Sequence, residues 1–188
     1  SPVEPIEPGT VRDCREFIKK YNDVENFNVY GNERFIYQYI SDKYPETELK
    51  FDIERIKLTT IDIEVKSELG FPDVESCAEE ILLITLQDYT TKQIRTWGLG
   101  AFNNKQENVI YKSFRTEYEL LTDFINWWMI EDNTPEVITG WNSKLYDIPY
   151  LCRRIDRILG EKLKKRMSPW GLVTEEETFI AGRKHISY

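Results

Sequence analysis

Two acidic residues separated by one position, Asp62 and Glu64, are the first candidates for side chains that could do chemistry. They lie in residues 57–65 (KLTTIDIEV), whose alternating pattern predicts a β-strand, and alternate residues of a strand share one face. Two carboxylates side by side repel each other and resist burial unless a divalent cation neutralises them. The alternative is an edge strand whose polar face is simply solvated, and the pattern alone leaves both interpretations open.

Asp147 is the third candidate. It follows a predicted strand at residues 136–141 and opens a predicted helix that Gly160 ends. Asp is also a favoured helix N-cap, where its side chain accepts a hydrogen bond from a free backbone N–H group. The two roles are compatible, so the sequence does not choose between them.

Chemistry based on histidine or cysteine has little support. The only histidine is His185, in a predicted hairpin arm where an exposed polar residue is expected. Cys14, Cys77 and Cys152 are far apart, and no Cys-x-x-Cys pair occurs. These counts argue against His-ligated zinc, catalytic triads and a disulfide framework, and they fit a reducing compartment. We therefore expect any catalytic or metal-binding groups to be carboxylates.

The charge of the chain is unevenly distributed. The net charge is −8, yet residues 153–166 contain seven basic and two acidic residues. An acidic chain is a poor general polyanion binder, although a local basic face could contact phosphates. The other interpretation of this basic run is a solvated helical face. No apolar run approaches the roughly 20 residues of a membrane span, so no membrane is expected as a partner.

Hydrophobic periodicity predicts the remaining elements. The other predicted strands cover residues 80–89, 93–100 and 109–114, and the other predicted helices run from Thr10 to Tyr21 and from Thr116 towards Pro135. Trp127 and Trp128 lie on the apolar face of the second of these helices and are expected in the core. Antiparallel strands followed by β–α units predict an α/β domain with a mixed sheet flanked by helices.

The two ends of the chain have weaker patterns. Residues 172–188 indicate a C-terminal β-hairpin with Gly182 near its turn. Residues 22–56 have no clear period and indicate an irregular subdomain or linker.

Two segments resemble motifs of a known family. TTIDIEV and the loop SELGFPD resemble the first exonuclease motif of family B DNA polymerases, and ITGWNSKLYDIPYLCRRI resembles their second. Two motifs in order, each with its local context, are a specific signal. The likeness is greatest to replicative polymerases of T-even-type phages. It implies a ribonuclease-H-like exonuclease fold in residues 57–188, with residues 1–56 part of an N-terminal or linker subdomain.

The resemblance also implies an activity, 3′→5′ proofreading of single-stranded primer ends by two-metal hydrolysis in DNA replication. Carried over by position, Asp62 and Glu64 would hold two divalent metal ions, Mg²⁺ or Mn²⁺, and Asp147 would bridge to the second.

Substrate contacts and the hairpin are carried over in the same way. Phe71 would pack against frayed terminal bases, while Asn142 and Tyr146 would line the single-strand cleft. The residues near Gly182 resemble a hairpin that helps to part primer from template.

The implied partners are primer–template DNA and the remaining polymerase domains, in the same polypeptide or as a separate subunit, in the cytoplasm of an infected host cell. Relatives have a third exonuclease motif that supplies a Tyr and the last metal-binding Asp, and it would lie beyond Tyr188. We therefore expect a piece of a longer enzyme or one part of a split polymerase, with little activity alone. The alternatives are a free-standing exonuclease of the same superfamily and a non-catalytic module that binds single strands or scaffolds a split polymerase.

Overall fold

The computed structural model describes residues 3–31, 34–46, 48, 50, 52–68 and 70–188, apart from the side chain of Arg183. These residues belong to two compact units, one within residues 1–51 and the other within residues 52–188. No helix in the described ranges is both long and apolar enough to cross a membrane.

The first unit contains two helices. Helix α1 (Val11–Tyr21) begins as predicted after Thr10, whose hydroxyl accepts a hydrogen bond from the backbone N–H of Asp13, while the Asp13 carboxylate accepts one from the Thr10 N–H. Helix α2 (Phe35–Lys43) lies inside residues 22–56, where the prediction of irregular structure was wrong. This helix begins without a side-chain cap and no residue on it is buried, so neither a capping signal nor an apolar stripe marked it in the sequence.

A five-stranded mixed sheet forms the centre of the second unit, in the order β4-β3-β2-β1-β5. Its strands are β1 (Leu58–Val65), β2 (Ile81–Asp88), β3 (Ile94–Leu99), β4 (Val109–Phe114) and β5 (Val137–Thr139). Strand β2 is antiparallel to both β1 and β3, whereas the β1–β5 and β3–β4 pairs are parallel. The predicted mixed sheet is therefore confirmed.

Strand β5 is shorter than the predicted strand at residues 136–141. The strand ends just before Gly140, where the backbone passes very close to β1. A Cβ atom at Gly140 would lie 2.5 Å from the carbonyl oxygen of Ile61, so only glycine fits at this position. Asn142 then adopts a left-handed backbone with φ 58° and turns the chain towards the next helix.

The core lies between the sheet and two helices, α3 (Glu117–Trp128) and α4 (Asp147–Leu159). Trp128 is fully buried and Trp127 packs against the core, as predicted. Helix α3 ends at Trp128, well before Pro135, because the chain turns through residues 129–134 with backbone hydrogen bonds at Ile130.

Short elements complete the second unit. They are helix α5 (Glu161–Lys164), the 3₁₀ turns Ile53–Arg55 and Lys165–Met167, and the strands β6 (Glu176–Ile180) and β7 (Arg183–Ser187). Strands β6 and β7 pair antiparallel and confirm the predicted hairpin, although its first strand begins at Glu176 rather than at residue 172. His185 is half-buried rather than exposed, since the residues that follow it in β7, Ile186 and Ser187, are buried.

Candidate active site

The side chain of Asp147 connects helix α4 to strand β1. Its Oδ1 atom accepts a hydrogen bond of 3.0 Å from the backbone N–H of Ile63. Strand β5 covers β1 only from Leu58 to Thr60, so it offers no partner to Ile63. The carboxylate of Asp147 occupies the position that a longer β5 would fill.

Asp147 is not the N-cap residue of helix α4. Tyr146 holds the N-cap position of α4 and makes no capping hydrogen bond with its side chain, and Asp147 is the first helical residue. Only 4% of Asp147 is exposed, because it lies between its own helix and the sheet. Its carboxylate is thereby kept beside the strand that carries Asp62 and Glu64.

The surroundings of Asp147 disfavour its charged form. Burial raises the pKa of the Asp147 carboxyl, the hydrogen bond from Ile63 opposes that rise, and the negative charges of Asp62 and Glu64 add to it. A cation at this position would relieve both the burial penalty and the repulsion.

Strand β1 presents Asp62 and Glu64 on one face and buries Ile61 and Ile63 on the other, as the alternation predicts. Both acidic side chains are exposed, and within the described residues neither makes a hydrogen bond or ion pair. Their oxygens are therefore accessible to a ligand from solution.

The donor chemistry fits a hard divalent cation. All three candidate ligands are carboxylates, and Mg²⁺ or Mn²⁺ prefers oxygen donors. In the described part of the chain, no three His, Cys, Asp or Glu side chains form a pre-assembled metal-binding group. Asp62 and Glu64 lie on strand β1, and Asp147 is the first residue of helix α4.

Two aromatic side chains lie next to the acidic residues. The ring of Phe71, 81% exposed, lies with its centroid 4.7 Å from that of Tyr146 at an interplanar angle of 45°. Tyr146 in turn contacts Tyr150 on α4, with centroids 5.7 Å apart. Burial, followed by the charge of Asp147 and smaller contributions that include Glu64, raises the pKa of Tyr146 to about 12. Its hydroxyl therefore stays protonated at neutral pH and is able to donate a hydrogen bond.

Asn142 shapes the turn that leads into α4. Its carbonyl accepts hydrogen bonds from the N–H groups of Leu145 and Tyr146, at 2.9 and 3.0 Å, and its side chain is exposed. The structure thus places Phe71 and Tyr146 in contact with each other, and Asn142 in the turn just before Tyr146. Trp141, not singled out from the sequence, is 94% exposed at the same turn.

Several cations of the basic run at residues 153–166 are bound to acidic side chains of the chain itself. Arg154 is buried and forms a two-pronged ion pair with the buried Glu117 of α3, with both N–O distances 2.6 Å. Lys164 and Lys165 form ion pairs with Asp156 and Glu161, at 2.6 and 2.9 Å. Sequence reasoning missed the role of Arg154 because its acidic partner Glu117 lies 37 positions away in the sequence.

Sequence comparisons match a family model and several known proteins to this chain. The model of the family described as DNA polymerase family B, exonuclease domain, matches residues 9–186. The DNA-directed DNA polymerase of Escherichia phage RB69 is 32% identical over 86% of this chain and 20% of its own length. That of Enterobacteria phage T4 is 31% identical over 87% of this chain and 20% of its own length. The DNA polymerase catalytic subunit of Human herpesvirus 6A is 35% identical over 53% of this chain and 10% of its own length.

Proposed function

The chain belongs to the family of exonuclease domains of family B DNA polymerases, and from this membership we propose that it carries the 3′→5′ proofreading site of a phage replicative DNA polymerase. The substrate is the single-stranded 3′ end of a primer. One observation carries the proposal: the hydrogen bond between Asp147 and Ile63, which holds the acid of the second motif beside the acidic pair of the first.

In this proposal Asp62, Glu64 and Asp147 hold two divalent cations, Mg²⁺ or Mn²⁺. When bound, such ions lower the pKa of an attacking water and stabilise the leaving 3′ oxygen. Asp62 and Glu64 present their carboxylates towards solvent, where the terminal phosphate would arrive. Asp147 is fixed by its hydrogen bond to Ile63, and its raised pKa means that a proton competes with the cation for its oxygens.

The aromatic pair binds the substrate end. The exposed ring of Phe71, supported by Tyr146, offers an apolar surface on which a terminal base can stack. Every base has an aromatic face, so such a surface accepts any unpaired 3′ end, as proofreading requires. Asn142 and the protonated hydroxyl of Tyr146 supply polar groups beside the carboxylates.

The remaining assignments concern the larger enzyme. We place the exonuclease site in residues 57–188 and assign residues 1–56 to an N-terminal subdomain. The exposed side chains of Phe179 and Ile180 near the tip of the β6–β7 hairpin suit a role in parting primer from template. The chain spans about a fifth of the length of its phage relatives. We therefore propose that it acts with the other polymerase domains, in one polypeptide or as a subunit, on primer–template DNA in the cytoplasm of an infected cell.

A second candidate is a module that binds single strands without cutting them. The exposed rings of Phe71 and Trp141 favour it, because bases stack on such rings whether or not the chain cuts the strand.

A nuclease assay separates the two candidates. A single-stranded oligonucleotide labelled at its 3′ nucleotide is incubated with excess protein and Mg²⁺ or Mn²⁺, and release of the label is followed over hours. We expect metal-dependent release that Asp62→Ala abolishes, whereas Asp132→Ala, at an exposed acid on the turn after α3, leaves it unchanged. Release that Asp62→Ala does not reduce would refute the proposed site. Binding without any release from the unaltered chain would support the non-catalytic module.

A further inference from the structure

Six successive backbone carbonyls, those of residues 74–79, accept hydrogen bonds from side chains of helix α4. Nη1 of Arg153 donates to the carbonyls of Val74 and Glu75, at 3.4 and 3.0 Å, and Nη1 of Arg157 donates to those of Ser76 and Cys77, at 3.0 and 3.1 Å. Nη1 of Arg154 donates to the carbonyls of Cys77 and Ala78, at 2.8 and 3.2 Å. The Tyr150 hydroxyl donates to the carbonyl of Glu79 at 2.8 Å. We call these four side chains and six carbonyls the carbonyl clamp.

The clamp follows from helix geometry. Residues 153 and 154 each lie three or four positions from both 150 and 157, so the four side chains leave α4 on one face. The segment they bind connects β1 to β2 and begins just after Phe71 and the buried Pro72. Loop carbonyls without strand partners normally bind water, whereas here charged donors bind them. The loop is therefore fixed to the helix that begins with Asp147.

We propose that Arg153 and Arg157 are positioning residues of the exonuclease site, which hold the loop so that Phe71 stays against Tyr146 beside the carboxylates. This inference rests on the proposed function, because it assigns the arginines a role in binding the single-stranded end. Arg154 contributes to the same clamp but is also committed to the buried pair with Glu117.

The competing role for these arginines is direct contact with DNA phosphates. Nη1 of both Arg153 and Arg157 is already engaged by carbonyl oxygens, and Nη2 of Arg153 donates to Glu175 at 2.5 Å. A phosphate at Nη1 of either arginine, or at Nη2 of Arg153, would have to displace these contacts. The two roles also differ in their relation to Phe71. A clamp affects binding of the single strand only by positioning Phe71, whereas a phosphate contact would affect binding whether or not Phe71 is present.

Arg157 is the residue to test, since it is exposed and stands outside the buried ion pair. The variants are Arg157→Gln, Phe71→Ala and the double variant, with Lys162→Gln as the control that removes an exposed positive charge from the adjacent helix α5. All are made in the whole chain.

The first measurement needs no DNA and follows amide hydrogen exchange in the free protein. The N–H groups of Ser76 and Cys77, which bond to Asp73, report on the loop. We expect Arg157→Gln to accelerate their exchange at least about fivefold, as loss of two net hydrogen bonds allows, and Lys162→Gln to leave it unchanged. Unchanged exchange rates of these N–H groups in Arg157→Gln would refute the clamp, and this result would not depend on whether the proposed function is correct.

The second measurement is binding of a single-stranded oligothymidylate with a free 3′ end at several salt concentrations. We expect Phe71→Ala to weaken binding about 5- to 150-fold, the range for one stacked base, and Arg157→Gln about fivefold. In the Phe71→Ala background, Arg157→Gln should not weaken oligonucleotide binding any further. An equal loss in both backgrounds, with a salt slope lower by about 1, would assign Arg157 to phosphate contact and overturn the positioning role. A Phe71→Ala variant that binds like the unaltered chain would refute the stacking site of the proposed function instead.

Discussion

The carboxylate of Asp147 lies 3.0 Å from the backbone nitrogen of Ile63, the residue between Asp62 and Glu64, although 84 positions of sequence separate the two partners. This contact is possible because β5 is short and leaves the edge of β1 open beyond Thr60. The buried acid is thereby tied to the backbone of the strand whose exposed face carries the other two.

The first prediction concerns the pH dependence of stability without divalent cations. The pKa of Asp147 is raised in the folded chain above its ordinary value of 3.8, so the folded state holds its proton more tightly than the unfolded state. Its contribution to stability is therefore present below about pH 4 and lost as pH rises through the folded pKa. In EDTA, the free energy of unfolding of the unaltered chain should fall relative to that of Asp147→Asn over this range.

Urea denaturation of the two proteins at a series of pH values measures this difference. Asp132→Asn, at an exposed acid, serves as the control and should run parallel to the unaltered chain. A constant difference in the free energy of unfolding between the unaltered chain and Asp147→Asn across the pH range would show that burial does not raise the pKa of Asp147.

The second prediction concerns the buried pair of Arg154 and Glu117. Among the described residues, Arg154→Ala leaves the buried Glu117 carboxylate with only the N–H of Ile81 as partner, so we expect a loss of about 3–5 kcal/mol in the free energy of unfolding. The double variant Arg154→Met, Glu117→Leu should recover part of this loss, because no uncompensated charge remains, although the N–H of Ile81 and the carbonyl of Ala78 lose their partners. Urea denaturation checks both, and a double variant no more stable than Arg154→Ala would contradict this explanation.

The third prediction concerns Gly140, at the turn beside the site. Gly140→Ala places a methyl group 2.5 Å from the Ile61 carbonyl oxygen, a backbone atom next to Asp62. We expect it to lower the free energy of unfolding by about 1–3 kcal/mol, the usual range for overpacking.

The matched substitution is Gly31→Ala, whose new methyl would meet, in the part of the chain that the structure describes, only the Ile18 side chain at 3.7 Å, an ordinary contact. Thermal unfolding of both variants decides the point. Equal melting temperatures for Gly140→Ala and the unaltered chain would mean that the close approach to Ile61 does not constrain the turn.

Much of the fold was predictable because local patterns and tertiary structure agree. The alternation in β1 predicted that Ile61 and Ile63 would be buried opposite Asp62 and Glu64. The cap at Thr10 and the apolar face with Trp128 likewise marked their helices. In each case the residues that carry the pattern lie within one element, so no distant partner was needed to interpret it.

The sequence was least informative where partners are distant. The arginines of α4 pack against a loop that lies 76 to 81 positions earlier in the chain, and the charge pattern alone gave no indication of carbonyl partners. The length of β5 depends on the close approach of Gly140 to Ile61, and the burial around His185 depends on how β7 packs. The metal-binding and substrate-binding roles of the site residues stay predictions, supported by motif and geometry.

The most direct test of the account measures whether Asp62, Glu64 and Asp147 form one divalent-cation site. Electron paramagnetic resonance follows free Mn²⁺ during titration of the unaltered chain and of Asp62→Ala, Asp147→Asn and the control Asp132→Asn. We expect Mn²⁺ binding that is weakened about tenfold or more by each of the first two substitutions and unchanged by the third. Identical Mn²⁺ binding by all four proteins would contradict the account.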